Sequence, residues 1–436
     1  MRVAVIGAGI VGVTTAYELL CDGHQVTLFE RSGSVAVEAS FANAGVLAPG
    51  YVTPWAAPGM LRKLLGQWGR RDAAVRLAGL PGPALASWLW RWWRACAAPT
   101  YAANRSAMLA LATLSLARTR EVAAELSIEH ERSRGLLVLL RSEQELVQAR
   151  PGLKLLADLD VGFHIVDAAV CRRIEPALDE ATALRAGIHL PGADVGNCRQ
   201  FALALKTELQ RRGAEFRFGH AVQRLTPGTS VGVDSLALAT DAESTFVGSG
   251  NVGSAVSDRF DAAVVCAAIG SRALLRPHGL ALPLQPVYGY SITLPVRHFE
   301  AHPDVGPRAA LMDERYKVAI SRLGDRVRVA GGAELGGTPT DLAQAPIATL
   351  HRVLQDWFPS AARHARAQTW KGARPMLPDG PPVIGAAGPP GVWLNTGHGS
   401  SGWALACGSA RLIADSIAGR TPAIDTEGLG VERLRG

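Results

Sequence analysis

The chain has 436 residues, is 48% hydrophobic and 19% charged, and carries a formal net charge of +7. That length suits two domains rather than one simple core, and the apolar content excludes a disordered chain. The positive balance is compatible with anionic lipid or acidic substrates, decides neither, and does not point to nucleic acid.

Residues 3–6 form a short apolar run with the look of a buried parallel strand. Gly7, Ala8, Gly9, Ile10, Val11 and Gly12 then spell G-x-G-x-x-G. Gly7 permits the tight turn, Gly9 lets the backbone approach a pyrophosphate, and Gly12 lets the helix sit close to the strand. The phosphates would meet the free N–H groups and positive end of that helix. Its apolar side carries Val11, Ala16, Leu19 and Leu20, and it stops near Gly23. A second strand at 26–29 ends in Glu30, placed to accept hydrogen bonds from an adenosine ribose.

Residues 40–60 are rich in Gly, Ala and Pro and suit a loop packed against something. The stretch 60–98 is helical in period and mixes Trp68, Trp88, Trp90, Trp92 and Trp93 with Arg62, Lys63, Arg70, Arg71, Arg76, Arg91 and Arg94. Two meanings are open for it: a membrane interface, or tryptophans that fill a core between helices while the arginines stay solvated. A helix follows at 105–126, a strand at 135–141, a helix at 201–210 and a strand at 215–218. Residues 226–259 suggest a hairpin with a mobile tip, and 261–270 a buried strand. Alternating segments at 287–296, 309–322 and 326–332 predict an antiparallel sheet, and 392–417 returns to a glycine-rich strand–turn–helix.

The expected architecture is α/β plus α+β. A discontinuous Rossmann-like dinucleotide domain is built from 1–90, 195–270 and 365–436, and an antiparallel-sheet substrate domain from 91–194 and 271–364. Cysteines 21, 96, 171, 198, 266 and 407 are scattered with no C-x-x-C, which suggests reduced thiols in a cytoplasmic protein and no metal site. No apolar run reaches the ~18–20 residues that span a bilayer, and the first strand begins too early for a cleavable leader.

Several stretches resemble the FAD-dependent amine and D-amino-acid oxidoreductases, and within them the bacterial D-amino acid dehydrogenases of small-subunit type. They are Asn43-Ala44-Gly45, the run 49–59, the run 313–320, Arg374-Pro375 and Asn395-Thr396-Gly397-His398-Gly399. The resemblance implies oxidation of a D-amino acid to an imine, hydrolysis to a 2-oxo acid and ammonia, and transfer of electrons to a respiratory acceptor of quinone type. Peripheral contact with the inner face of the cell membrane through 60–98 would fit that acceptor.

The resemblance places the binding arginine at Arg374, where a guanidinium can grip a carboxylate in a bidentate fork; the alternative is a structural pair with Asp379. It also implies that Tyr290 orients substrate. Tyr288 stands where a lysine is expected, which keeps a cyclic imino acid such as D-proline or D-hydroxyproline open. His398 has two meanings, a contact to flavin or substrate, or a bond that only satisfies a backbone carbonyl. Expected flavin contacts are Gly7–Gly12, Glu30, Arg31, Asn43, Ala44, Gly45, Val222, Gly270, Gly397, His398, Gly399, Ser400, Ser401 and Gly402. The helix after Gly402 would aim its positive end at the flavin where charge develops on reduction. Some relatives hold flavin through a cysteine just before the Pro-Asp motif; Gly372 and Ala373 occupy that region here, which implies non-covalent FAD. A glycine- or sarcosine-type oxidase using oxygen, and a flavin subunit inactive without partner chains, remain alternatives.

Overall fold

The structure, a computed structural model, describes residues 1–67, 70, 72–238, 252–297 and 305–434. Among these, the strands form three sheets. Along Arg2–Ile6, Val3 and Val5 enter one apolar core while Ala4 and Ile6 enter another. A strand buried on both faces belongs inside a parallel sheet. Its sheet runs Val383–Ala386, Val392–Thr396, Ala262–Val265, Arg2–Ile6, Gln25–Glu30, Glu215–Phe218. All neighbours are parallel except the edge strand Val383–Ala386. Helices Ile10–Cys21, Cys198–Arg211 and Gly402–Ile417 cover one face. A three-stranded antiparallel sheet of His220–Thr226, Val231–Leu238 and Val252–Phe260 covers the other. The chain progresses in opposite directions from the central Arg2–Ile6 strand, which opens a crevice at the carboxyl ends of the strands.

The second sheet runs Gln368–Met376, Gln285–Pro295, Arg326–Leu335, Val318–Leu323, Ala310–Asp313, Ser133–Leu140, Ala186–Val195, Val46–Leu47, with Val75–Leu77 and His164–Asp167 as side branches. Helix Gln344–Trp357 packs on its central strands, and Glu143–Asp158 on the Ser133–Leu140 side.

Sheet membership redraws the expected domain boundaries. Val46–Leu47 and Val75–Leu77, from the 1–90 block, pair with the large sheet. So does Gln368–Met376, from the 365–436 block. Helix Ala98–Glu125, expected with the substrate domain, packs on the nucleotide side through Met108, Leu111, Ala112 and Leu116. The approach to Gly402–Ile417 is close, since a Cβ at Gly408 would lie 2.9 Å from the Leu111 carbonyl oxygen. The boundaries follow hydrogen-bond ladders and small-residue helix contacts, which contiguous blocks of sequence do not display.

Three element assignments also change. The 60–98 stretch is two helices, Met60–Gln67 and Pro83–Ala95, separated by the Val75–Leu77 strand; Trp68 and Arg71 lie outside the described residues. The 309–322 segment is a hairpin, Ala310–Asp313 with Val318–Leu323, turned with Lys317 at φ 53°. The strand expected over 261–270 ends at Val265, and Ala268–Gly270 is a 3-10 turn. The 226–259 hairpin is present as Val231–Leu238 against Val252–Phe260, while its tip, expected to be mobile, lies outside the described residues.

The first helix depends on Gly12. A Cβ there would lie 1.8 Å from the Gly7 carbonyl oxygen. Overpacking at such a contact typically costs ~1–3 kcal/mol. Gly12→Ala is therefore expected to lower the unfolding free energy by at least that order in a denaturant titration, and an unchanged midpoint would show that the helix can shift at no cost.

Candidate active site

The carboxyl ends of the parallel strands form a cradle. Gly7 has φ 101°. Gly9 caps helix Ile10–Cys21, and the nearest atom to a Cβ placed on it is Ser40 Oγ at 3.6 Å. The first amides of a helix have no intrahelical acceptor. That of Ile10 donates to Ser40 Oγ at 3.1 Å. Glu30 accepts from the Ala8 amide and the Ser32 amide, both at 2.8 Å. Burial raises its carboxyl above the usual range, and the two amides oppose the shift. Each carboxylate oxygen keeps a second lone pair, free for a ribose hydroxyl. An approachable glycine, first-turn amides and a buried carboxylate fit the pyrophosphate and ribose of a dinucleotide.

Other expected flavin contacts are placed less uniformly. Gly270 closes the turn after Ala262–Val265, with its amide donating to Ala267 O at 2.8 Å. Val222 pairs with Ser235 in the small sheet and packs toward the second core. Arg31 is exposed, and its guanidinium is engaged by Glu38.

Register places the rest of the site. Val287 pairs with Arg374, Gly289 with Gly372, and Ser291 with Trp370. Side chains alternate across a sheet, so these residues share one face. Thr293, Arg328 and Ser321 continue it, because Thr293 pairs with Arg328 and Arg328 with Ser321. Two glycine-rich segments border this face. On one side Ser321 Oγ donates to Ala44 O at 2.6 Å, Arg328 Nη1 donates to Asn43 O at 3.2 Å, and the Gly45 amide donates to Asn43 Oδ1 at 2.9 Å. On the other, Met376 Sδ lies 2.7 Å from a Cβ position at Gly399, whose φ is 55°. Ser400 and Ser401 complete the Gly399–Ser401 turn, and Gly402 begins helix Gly402–Ile417.

Arg374 lies on this face between the two segments. Its Nη1 donates to the Gly332 carbonyl at 2.8 Å. No carboxylate pairs with it among the described residues; Asp379 is held by Arg433 at 2.8 Å instead, which removes the structural alternative. Burial pulls the guanidinium down to about 10, so it remains charged near neutral pH with donors to spare. Such a group can bind a carboxylate in a charge-assisted pair.

The two tyrosines are not beside it. Tyr288 pairs with Ala373 and Tyr290 with Lys371, so both occupy the opposite face. There Tyr290 donates to Glu334 Oε2 at 2.7 Å, and Lys371 Nζ donates to Glu334 Oε1 at 2.8 Å. Lys371 also sits over both rings, 4.7 Å from Tyr288 and 5.2 Å from Tyr290. Tyr290 shares the core beneath helix Gln344–Trp357 and lines a cleft with Tyr316, Asp72 and Thr349. The expectation that Tyr288 and Tyr290 act beside Arg374 fails on strand parity.

His398 is structural as well. Its Nε2 lies 3.0 Å from Ser409 Oγ, which itself donates to Ala406 O at 3.1 Å. The serine proton is thereby used, and His398 must donate through Nε2 as a neutral ring. Burial pulls its pKa down to about 3. Its backbone still belongs to the turn beside Gly397 and Gly399.

Sequence reasoning missed Arg328, Trp370 and Ser40. Arg328 is 6% exposed, and burial followed by the neighbouring Arg326 pulls it down to about 10. Its Nε donates to Thr293 Oγ1 at 3.1 Å. The available signal was Arg328 amid the apolar alternation of 327–330.

The family model described as FAD dependent oxidoreductase matches residues 2–416. A D-amino acid dehydrogenase of Rhizorhabdus wittichii is 39% identical over 440 residues, covering 99% of this chain and 100% of the relative. One of Cereibacter sphaeroides is 40% identical over 437 residues, covering 99% and 95%. Among solved structures, glycine oxidase from Geobacillus kaustophilus superposes with a TM-score of 0.74 at 19% identity over 100% of both chains. L-proline dehydrogenase from P. horikoshii gives 0.69 at 15% identity, covering 99% and 97%. These two likenesses support the fold.

The His398 ring binds a proton less readily folded than unfolded. Its contribution is complete above about 6.5, its ordinary value, and is lost as pH falls toward about 3. His398→Gln is expected to flatten the decline of folding stability across that window in denaturant titrations. An unchanged slope would reject a buried neutral imidazole.

Proposed function

The chain belongs to the FAD dependent oxidoreductase family, and on that footing we propose that it oxidises D-amino acids to 2-oxo acids and ammonia with Arg374 as the carboxylate clamp. The carrying observation is the Arg374 guanidinium, without a carboxylate partner among the described residues, on the sheet face bordered by both glycine-rich segments. The named relatives at 39–40% identity over nearly the whole chain support the substrate class.

FAD, when bound, supplies the hydride acceptor for the substrate Cα, and the substrate imine is then hydrolysed. The protein's part is to hold and orient. Gly7–Gly12 and Glu30 would carry the pyrophosphate and ribose. Asn43–Gly45 and Gly397–Gly402 would border the ring, and the positive end of helix Gly402–Ile417 would favour negative charge nearby. With Gly372 and Ala373 before the Pro-Asp motif, we read the cofactor as non-covalently held. Arg374 fixes the carboxylate, so the Cα–H is oriented before reaction. No strong base at Cα is needed when the amine arrives neutral, and the neutral His398 ring, bonded to Ser409, is not used. Tyr288 lies on the face opposite Arg374, and a cyclic imino acid such as D-proline stays among the substrates to be tested.

For the electron acceptor we infer a quinone in an anionic bilayer, reached by peripheral docking from the cytoplasmic side. Among the described residues no helix is long and apolar enough to cross a membrane. Helix Pro83–Ala95 divides its tryptophans: Trp88 and Trp92 are buried, and Trp88 Nε1 donates to Met376 O at 3.2 Å. Trp90 and Trp93 stay 53% and 54% exposed, with Arg94 stacked on Trp90, and Leu80 just before the helix is 99% exposed. Exposed indoles beside arginines and a protruding leucine suit an acidic interface.

Anaerobic addition of D-amino acids is expected to bleach the flavin of the purified protein, with their L forms inactive. D-proline, cis-4-hydroxy-D-proline, glycine and sarcosine complete the panel, and bleaching by none of them would reject the reading. Peroxide formation in air would favour the oxidase alternative. Arg374→Ala should lower kcat/KM by roughly 30- to 1,000-fold, the equivalent of ~2–4 kcal/mol for a lost charged pair; near-unchanged kcat/KM would remove the clamp. Replacing Trp90 and Trp93 together by Ala should weaken co-sedimentation with phosphatidylglycerol vesicles and leave turnover with a soluble dye unchanged. Undiminished co-sedimentation would exclude this face.

A further inference from the structure

We propose that Trp370 is the specificity-determining residue of the site, its indole forming the wall against which the substrate side chain lies. The inference rests on the reading of Arg374 as the carboxylate clamp. The observation behind it is a pair of glycines in register, Gly289 and Gly372, on the Arg374 face of the large sheet. Neither position has room for a methyl group. A Cβ on Gly289 would lie 2.2 Å from Arg374 Nη2, and one on Gly372 would lie 1.8 Å from Trp370 Cη2.

The two missing side chains let two large ones lie flat. The Arg374 side chain crosses Gly289 toward the Gly332 carbonyl. The Trp370 indole extends along its own strand over Gly372, toward Arg374. Residues directly opposite in an antiparallel pair have Cβ positions roughly 4.5–5.5 Å apart. Guanidinium and indole are therefore held side by side. A carboxylate on Arg374 brings its Cα substituents within reach of the indole face. Trp370 is only partly buried, so the ring is not sealed in a core.

A second observation also points to a ligand. Ser291 pairs directly with Trp370, is 1% exposed, and its hydroxyl has no hydrogen-bond partner among the described residues. A buried orphan hydroxyl is costly unless something else bonds to it. Its place on the same face, beside the indole, gives a bound ligand a polar contact at the edge of an apolar wall. Arg374 thus recognises what all amino acids share, and Trp370 meets what distinguishes them.

The test is anaerobic stopped-flow reduction of the flavin by D-alanine and D-phenylalanine in wild type, Trp370→Ala, Trp370→Phe, Gly372→Ala and Arg374→Lys. Trp370→Ala is expected to raise the ratio of kcat/KM for D-phenylalanine over D-alanine by about tenfold or more, the scale of a change in an apolar pocket. Trp370→Phe should move it less in the same direction. Gly372→Ala lifts the indole into the site and should move it oppositely. Arg374→Lys should weaken both substrates together. Equal changes for both substrates in the Trp370 variants, or no change, would overturn the wall while leaving the D-amino-acid reading intact. Failure of both substrates to reduce wild type would overturn that reading, and the wall with it.

Discussion

Among the described residues, Arg374 is a cation held by one neutral carbonyl, that of Gly332. A partly buried guanidinium favours an anion beside it, because a charge drawn out of water without a counter-charge is costly. Asp379, the next acid along the sequence, is committed to Arg433. The guanidinium lies over Gly289, on a face it shares with Ser291 and Thr293, where an incoming carboxylate can complete the pair. Much of the arrangement of the large sheet near this point serves to keep that guanidinium extended: Gly289 makes room beneath it, and the carbonyl of Gly332, a residue with φ 70°, meets it.

That face is useful because of what borders it. The Asn43–Gly45 segment is tied to the large sheet through Ser321 and Arg328. The Gly397–Gly402 segment comes from the nucleotide sheet and meets Met376. The two domains therefore share a seam, and a cofactor anchored at Gly7–Gly12 would extend into it. A helix terminus of this kind would carry most of the binding energy for the phosphates, and the reactive end could then be held by close backbone with few side chains in the way.

Behind the sheet, Tyr290, Lys371 and Glu334 form a satisfied polar cluster of the opposite character. Each charge has its partner, with Lys371 and Glu334 almost fully enclosed. A network of this kind ties three strands together. One step in strand parity separates it from the Arg374 face. His398 is another such case: it sits in the most distinctive motif of the chain, yet its ring is spent on Ser409 inside a helix packing contact.

The nucleotide-binding end was legible from local pattern alone. Gly7, Gly9, Gly12 and Glu30 lie within one strand–turn–helix–strand unit, and the physics of that unit is local. Arg374 could be singled out from its motif, but whether Asp379 neutralised it could not, because Arg433 is distant in sequence. That Tyr290 lies on the face opposite Arg374 was not legible, because parity relative to Arg374 depends on pairing between strands that are separated by most of a hundred residues. Trp370 and Ser291 were invisible for the same reason. By itself the sequence determined the strand–turn–helix–strand unit at residues 2–30 and the antiparallel pairing of Gln285–Pro295 with Arg326–Leu335, while the large sheet as a whole is mixed. Only the tertiary structure decided which side chains share the face of Arg374, because register and sheet order are non-local and a one-residue step in either sends a side chain to the opposite side.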